Sequence, residues 1–187
     1  MKYKDGSLKK YLDDLSAKIP APGGGSAAAL SAAMGSSLIC MVINFTLGKE
    51  KYKPFEKELK AMLSKSEKLR KEFLNLVDLD VDAYQSRDLR KAIDVPFMLA
   101  RLSLEAARVC PILIKKGNIN LITDVAHAAI LLESAFTCSS FNIEVNLGSF
   151  ADKNLAKRIR KELKLTGNDI FKIRRETEEK VGKIIRR

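Results

Sequence analysis

A single histidine and three cysteines without C-x-x-C spacing leave this 187-residue chain almost bare of metal ligands, so no metal centre is expected. Tryptophan is absent and aromatics are only 6% of the residues, which argues against a surface built to stack nucleobases. Cys40, Cys110 and Cys138 form an odd set inside apolar runs, which points to buried thiols in a reducing compartment rather than to disulfides. No charged-then-apolar leader with a cleavage site opens the chain, so a cytoplasmic location is expected. His127 stands three residues after Asp124 on one helix face; lacking a nucleophile partner, it reads as a surface or packing residue.

The sharpest absence is local. Residues 20–48, PAPGGGSAAALSAAMGSSLICMVINFTLG, carry no charge although 30% of the chain is charged. Gly23, Gly24 and Gly25 allow close approach of a ligand to the backbone, and Ser26 is a suitable N-cap for a helix running to about Leu47. The N–H groups at that helix start would donate to an anion or a carbonyl. No Lys-Ser/Thr follows the glycines at P-loop spacing, and no strand-like run precedes them as a dinucleotide fingerprint requires. Ser26, Ser31, Ser36, Ser37, Asn44 and Thr46 argue against a membrane span, and small residues all round suit a central helix packed by several neighbours.

What remains reads as helix throughout, in one domain covering residues 1–187. Leu8, Tyr11, Leu12, Leu15 and Ile19 mark a first helix, and Pro54 opens a long third one. Pro96 is expected to break the chain before a helix through Arg108, and Pro111 to kink or end it. Gly117 to Thr123 reads as a loop before another long helix, in which FNIEVNL is the one place a strand competes. An antiparallel all-α bundle around the Ala/Ser/Gly-rich helix follows.

Net charge is +11, and residues 153–187 hold 13 Lys or Arg against 5 Asp or Glu. Its two periodic stretches, divided by Thr166 and Gly167, read as basic terminal helices completing the bundle. Binding of nucleic acid or an acidic partner is the alternative use of this segment.

Two acids stand out. In the third helix Asp80 falls on the apolar stripe between Leu76 and Tyr84, where a carboxylate must be paired, hydrogen-bonded or turned into a ligand cavity. Asp124 follows Thr123 at a helix start, where the dipole stabilises a negative charge and simple capping is an equal explanation.

PAPGGGSAAALSAAMGSSLICMVINFTLGKEKY resembles the cyclodeaminase/cyclohydrolase family, the folate-processing module found alone or as the second domain of formiminotransferase-cyclodeaminase. DVDAYQ, VPFMLAR, GNINLITDVAHAA and FNIEVNL agree with it. The resemblance implies an all-helical homodimer that closes 5-formiminotetrahydrofolate to the methenyl form with loss of ammonia, or interconverts methenyl- and 10-formyltetrahydrofolate. It implies a reduced folate as substrate and no permanently bound cofactor. Matching positions are Gly23, Gly24, Gly25, Ser26, Asn44, Lys49, Tyr52, Asp80, Asn118, Asp124, Asn142 and Asn146, with Lys51 added as a contact for the anionic glutamate tail. Asp80 and Asp124 are the expected catalytic acids, because cation-forming, intramolecular chemistry needs orientation and proton transfer rather than a metal or a nucleophilic thiol.

One departure stands out. Between Tyr84 and Pro96 the family usually has a longer insert, and this chain has only QSRDLRKAIDV, with Arg87 or Arg90 as the replacement. A folate-binding or purely structural homologue without turnover is therefore a second alternative.

Overall fold

A computed structural model describes residues 2–186, and among them every regular element is helical. The α-helices are α1 (Leu8–Ser16), α2 (Gly24–Asn44), α3 (Glu56–Ser86), α4 (Leu89–Ala107), α5 (Cys110–Lys116), α6 (Ile122–Gly148) and α7 (Lys153–Ile185), joined by short 3-10 turns.

The uncharged segment becomes the central helix. α2 packs on α3 along one side and on α6 along another, and buries Ala28, Ala29, Ala32, Ala33, Gly35 and Ser36. Small side chains let the backbones close up: a Cβ on Gly35 would lie 3.0 Å from Leu132 Cγ and 3.2 Å from the Ala128 carbonyl oxygen of α6. α2 and the Ile119–Gly148 segment are long and apolar enough to cross a membrane, but the same length and apolarity serve here to fill the bundle interior.

Four local expectations are corrected. Ser26 does not cap α2; Gly23 occupies that position, and Ser26 lies in the first turn with no exposed surface. α2 also ends at Asn44 rather than Leu47. Pro96 does not break the chain, since α4 starts at Leu89 behind an Asp88 cap that accepts from the N–H groups of Arg90 and Lys91 and runs through the proline. Thr166 and Gly167 do not divide the C-terminal segment, because α7 is one 33-residue helix. A Cβ on Gly167 would meet the Phe136 ring at 3.3 Å, so this glycine is a close-packing position against α6 and not a stop.

FNIEVNL is helical as well. Its alternation resolves into two faces of α6, with Ile143 and Leu147 buried while Phe141 and Val145 are exposed. In α7, Ile159, Leu163, Ile170 and Val181 are buried, and Ile173 and Ile184 pack against the core clusters. The basic segment is thus part of the bundle.

Candidate functional site

At the N-terminal end of α2 the glycine loop, α3, α4 and α6 enclose a cavity of about 390 Å³. Gly23, Gly24 and Gly25 form one wall, Asp80 and Tyr84 a second, and Asn142 and Asn146 a third. The first bond of the α2 ladder runs from Ala27 N–H to Gly23 C=O, so the N–H groups of Gly24, Gly25 and Ser26 precede it.

Asp80 occupies that helix start. Its carboxylate accepts from the Ser26 backbone N–H, and a Cβ added to Gly25 would collide with it, 2.6 Å from Cγ and 2.9 Å from Oδ2. Only glycine at position 25 leaves room for the acid. Burial pushes the Asp80 carboxyl above the usual carboxylate range, and the Ser26 hydrogen bond offsets part of that rise. The result is a half-buried acid, adjacent to a cavity, whose proton is held more tightly than in water.

Ser26 therefore serves the acid rather than the cavity. Its Oγ accepts from the Tyr11 hydroxyl at 3.2 Å, in the interior. Asn146 also has a protein partner: its Nδ2 donates to the Ala92 carbonyl oxygen at 2.8 Å. That carbonyl lies four residues before Pro96, which has no N–H to give it.

The other sequence-derived positions gather elsewhere. Asn118 is buried beside the C-terminal end of α2, where its N–H donates to Thr46 Oγ1 at 2.9 Å and its Nδ2 to the Phe45 carbonyl at 3.3 Å. The Tyr52 hydroxyl accepts from the Ile119 N–H at 3.3 Å, and Asn44, Lys49 and Lys51 are exposed nearby in the chain, with Lys51 Nζ 5.5 Å from the centre of the Tyr52 ring. Asp124 lies in the first turn of α6, its Oδ1 3.9 Å from His127 Nδ1. Eighteen residues of α6 separate Asp124 from Asn142, about 27 Å of helix. A single copy thus brings Gly23, Gly24, Gly25, Asp80, Asn142 and Asn146 together, and holds Asp124 with Asn118 at the far end.

Arg87 and Arg90 do not line the cavity. Arg87 terminates α3 in a left-handed conformation (φ 54°), and Arg90 pairs with Asp94 at 2.7 Å. Two contributors escaped sequence reading. Tyr11 looked like any apolar helix position, and Asp78 is buried with Oδ1 accepting the Tyr3 N–H at 2.7 Å. A second acid two residues from Asp80 was the available signal for Asp78.

Among the described residues, no three His, Cys, Asp or Glu side chains are grouped to hold a metal ion. Burial pushes the thiols of Cys40 and Cys110 up to about 12, so neither is a nucleophile at neutral pH.

An all-helical bundle with a desolvated carboxyl facing a glycine-walled cavity is an arrangement suited to a small-molecule site. The family model described as formiminotransferase-cyclodeaminase matches residues 7–87 and 85–165, and the chain belongs to that family. It is 33% identical over 180 residues to methenyltetrahydrofolate cyclohydrolase of Methylorubrum extorquens, covering 84% of this chain and 86% of the relative. It is 27% identical to formimidoyltransferase-cyclodeaminase of Rattus norvegicus, covering 83% of this chain but 33% of that longer protein. The crystal structure of formiminotetrahydrofolate cyclodeaminase from Thermotoga maritima superposes with a TM-score of 0.93 at 26% identity, covering 98% of this chain and 99% of that one.

Proposed function

We propose that this protein is a tetrahydrofolate one-carbon enzyme, acting first as a methenyltetrahydrofolate cyclohydrolase, with Asp80 as its proton-transfer group. The observation that carries the reading is the half-buried Asp80 carboxyl, held by the Ser26 N–H beside a glycine-walled cavity. The cyclohydrolase is preferred because the relative of that name is matched over most of both chains. Deamination of the formimino compound is the second reading, favoured by the similarity to the Thermotoga maritima structure.

In the hydrolytic direction, water adds to the cationic methenyl carbon and its proton passes to Asp80. The proton is then delivered to N5 as the N5–carbon bond breaks, while the hydroxyl proton of the adduct passes to solvent as the C=O forms, leaving the formyl group on N10 and one proton released. In deamination, N10 attacks the carbon of the protonated formimino group, the N10 proton passes by way of Asp80 to the amino nitrogen, and ammonia leaves as its bond to that carbon breaks and the methenyl cation forms. Both routes need one carboxyl able to hold and release a proton near neutral pH, which desolvation favours. An ionised carboxylate also stabilises the cationic form of the folate.

Asp124 enters this scheme through a second copy. α2 and α6 carry no Lys or Arg, and exposed apolar side chains mark them: Met34 on α2, Phe45 just past its end, and Phe141 and Val145 on α6. Antiparallel two-fold contact along these helices would bring the Asp80 end of one copy against the Asp124 and Asn118 end of the other. Lys49 and Lys51 would then meet the anionic glutamate end of the folate. A cytoplasmic location accompanies this reading and suits three free thiols. The packing of α7 favours a structural over a nucleic-acid role for the basic segment, as do its ion pairs Arg101–Glu162 and Arg160–Glu144.

The test is direct assay of the purified chain on methenyl- and 5-formiminotetrahydrofolate, with Asp80→Asn alongside. Turnover of either, lost in the variant, supports the reading; turnover unchanged in the variant overturns the role of Asp80.

A further inference from the structure

α1 is an exposed helix with one buried residue. Leu8 and Leu12 are 64% and 51% exposed, whereas Tyr11 is 4% exposed. Leu15 packs half-buried on the core, and the helix otherwise docks through the Tyr11 side chain. That side chain ends at Ser26, where its hydroxyl donates to Oγ at 3.2 Å. The backbone N–H of the same serine bonds Asp80.

The segment carrying Tyr11 is held firmly. Tyr3 packs edge-on against the Tyr11 ring, with centroids 5.4 Å apart, and donates its N–H to Asp78 Oδ1 at 2.7 Å. Its hydroxyl donates to Asp14 Oδ2 at 2.9 Å, and Ser7 caps α1 by accepting from the Lys10 N–H at 3.1 Å. Asp78 and Asp80 thus lie at two ends of one connected arrangement that passes through the N-terminal segment.

We propose that Tyr11 is a positioning residue for Asp80, acting through Ser26 to fix the first turn of α2 against the carboxylate. The proposal rests on the reading of Asp80 as the proton-transfer group. Without the Tyr11 hydroxyl, Ser26 loses the bond that fixes its side chain in the interior, and the N–H that Asp80 accepts is less firmly presented. Tyr11 and Asp80 also sense each other electrostatically, since the Asp80 charge adds to burial in holding the Tyr11 hydroxyl above its ordinary range. Of the other residues lining the cavity, only Tyr84 carries an ionisable group; α4 presents Ala92 and Pro96, and α6 presents Asn142, Val145 and Asn146.

The first measurement needs no substrate. Carbon-13 NMR titration of the aspartate carboxyls, with the Asp80 signal assigned from Asp80→Asn, is compared in the intact chain, Tyr11→Phe and Tyr3→Phe. Tyr11→Phe keeps the ring and should raise the Asp80 midpoint by about half a pH unit, because the Ser26 N–H that favours the charged form is held less firmly. Tyr3→Phe should lower the melting temperature and leave the midpoint in place.

The second measurement is the pH–rate profile. Tyr11→Phe should lower kcat roughly 2- to 10-fold with KM little changed, the scale of one weakened hydrogen bond. The limb set by Asp80 should move with the NMR midpoint, and Ser26→Ala added to Tyr11→Phe should cost little more. An unmoved Asp80 midpoint in a folded Tyr11→Phe protein overturns the proposal. A moved midpoint in a chain that turns over neither folate leaves the positioning role standing and overturns the functional reading instead.

Discussion

The Asn146 amide donates to the carbonyl of Ala92, the one backbone acceptor in α4 that Pro96 leaves without an i+4 donor. A proline in a helix interior and an asparagine on a neighbouring helix thus form a single feature. It joins α4 to α6 on the wall of the cavity. Asn146 was expected as a substrate contact, and its Nδ2 is already engaged.

Removing that amide should act on stability first. Asn146→Ala is expected to cost about 1–3 kcal/mol, because a part-buried carbonyl loses its donor. Asn146→Asp should cost more, since a carboxylate would face the carbonyl oxygen. Urea unfolding midpoints of the two variants check the order, and equal stability of all three proteins would contradict it.

Asp80 should weaken the fold at neutral pH while serving the reaction. Its folded-state carboxyl titrates above the unfolded value, so the folded chain binds more protons between those two values. The Asp80 contribution to stability therefore falls as pH rises through that window and recovers as pH drops below it. Asp80→Asn should melt higher than the intact chain at neutral pH, with the gain shrinking as pH falls toward the ordinary carboxylate range. Melting curves across that range provide the check, and a variant that melts lower at every pH would contradict the desolvated-acid account.

Gly25 and Asp80 should couple. Gly25→Ala inserts a methyl group where the carboxylate sits and is expected to cost about 1–3 kcal/mol. Much of that loss should disappear in an Asp80→Ala background, where the space is vacant. A double-mutant cycle on unfolding free energies reads the coupling. Additive effects would mean that the close approach is relieved elsewhere.

If the site is shared between copies, inactive variants should rescue each other. Asp80→Asn and Asp124→Asn homodimers should both be slow, and mixing them with subunit exchange should restore about a quarter of normal activity, since half the dimers would be mixed and each would hold one intact site. No recovery in a mixture shown by mass spectrometry to contain heterodimers would place both acids' functions within one copy.

The helical class, the central role of α2 and the burial of the α7 stripe were legible because apolar spacing reports directly on which faces must leave water. Pro96, Gly167 and the FNIEVNL alternation misled for one shared reason. Each looks like a break when read along the chain, and each is settled by packing between helices: Asn146 of α6 answers Pro96, Phe136 of α6 covers Gly167, and burial of Ile143 and Leu147 sets the FNIEVNL faces. Asp80 was legible as an acid on an apolar stripe. Its dependence on Gly25, Ser26 and Tyr11 was not, because those contacts connect α1, α2 and α3 across the bundle. The distance between Asp124 and the cavity was hidden for the same reason, since a family pattern records positions without saying which end of a helix each occupies.

The most direct test is loss of methenyltetrahydrofolate absorbance under single-turnover conditions by the intact chain and by Asp80→Asn, with 5-formiminotetrahydrofolate deamination followed in parallel. The account predicts turnover of at least one of these folates by the intact chain, and a fall of roughly 10²- to 10⁴-fold in Asp80→Asn, the range for loss of a general acid–base group, with folate binding retained. A folded Asp80→Asn protein that turns over at the normal rate, or an intact chain that turns over neither compound, would contradict it.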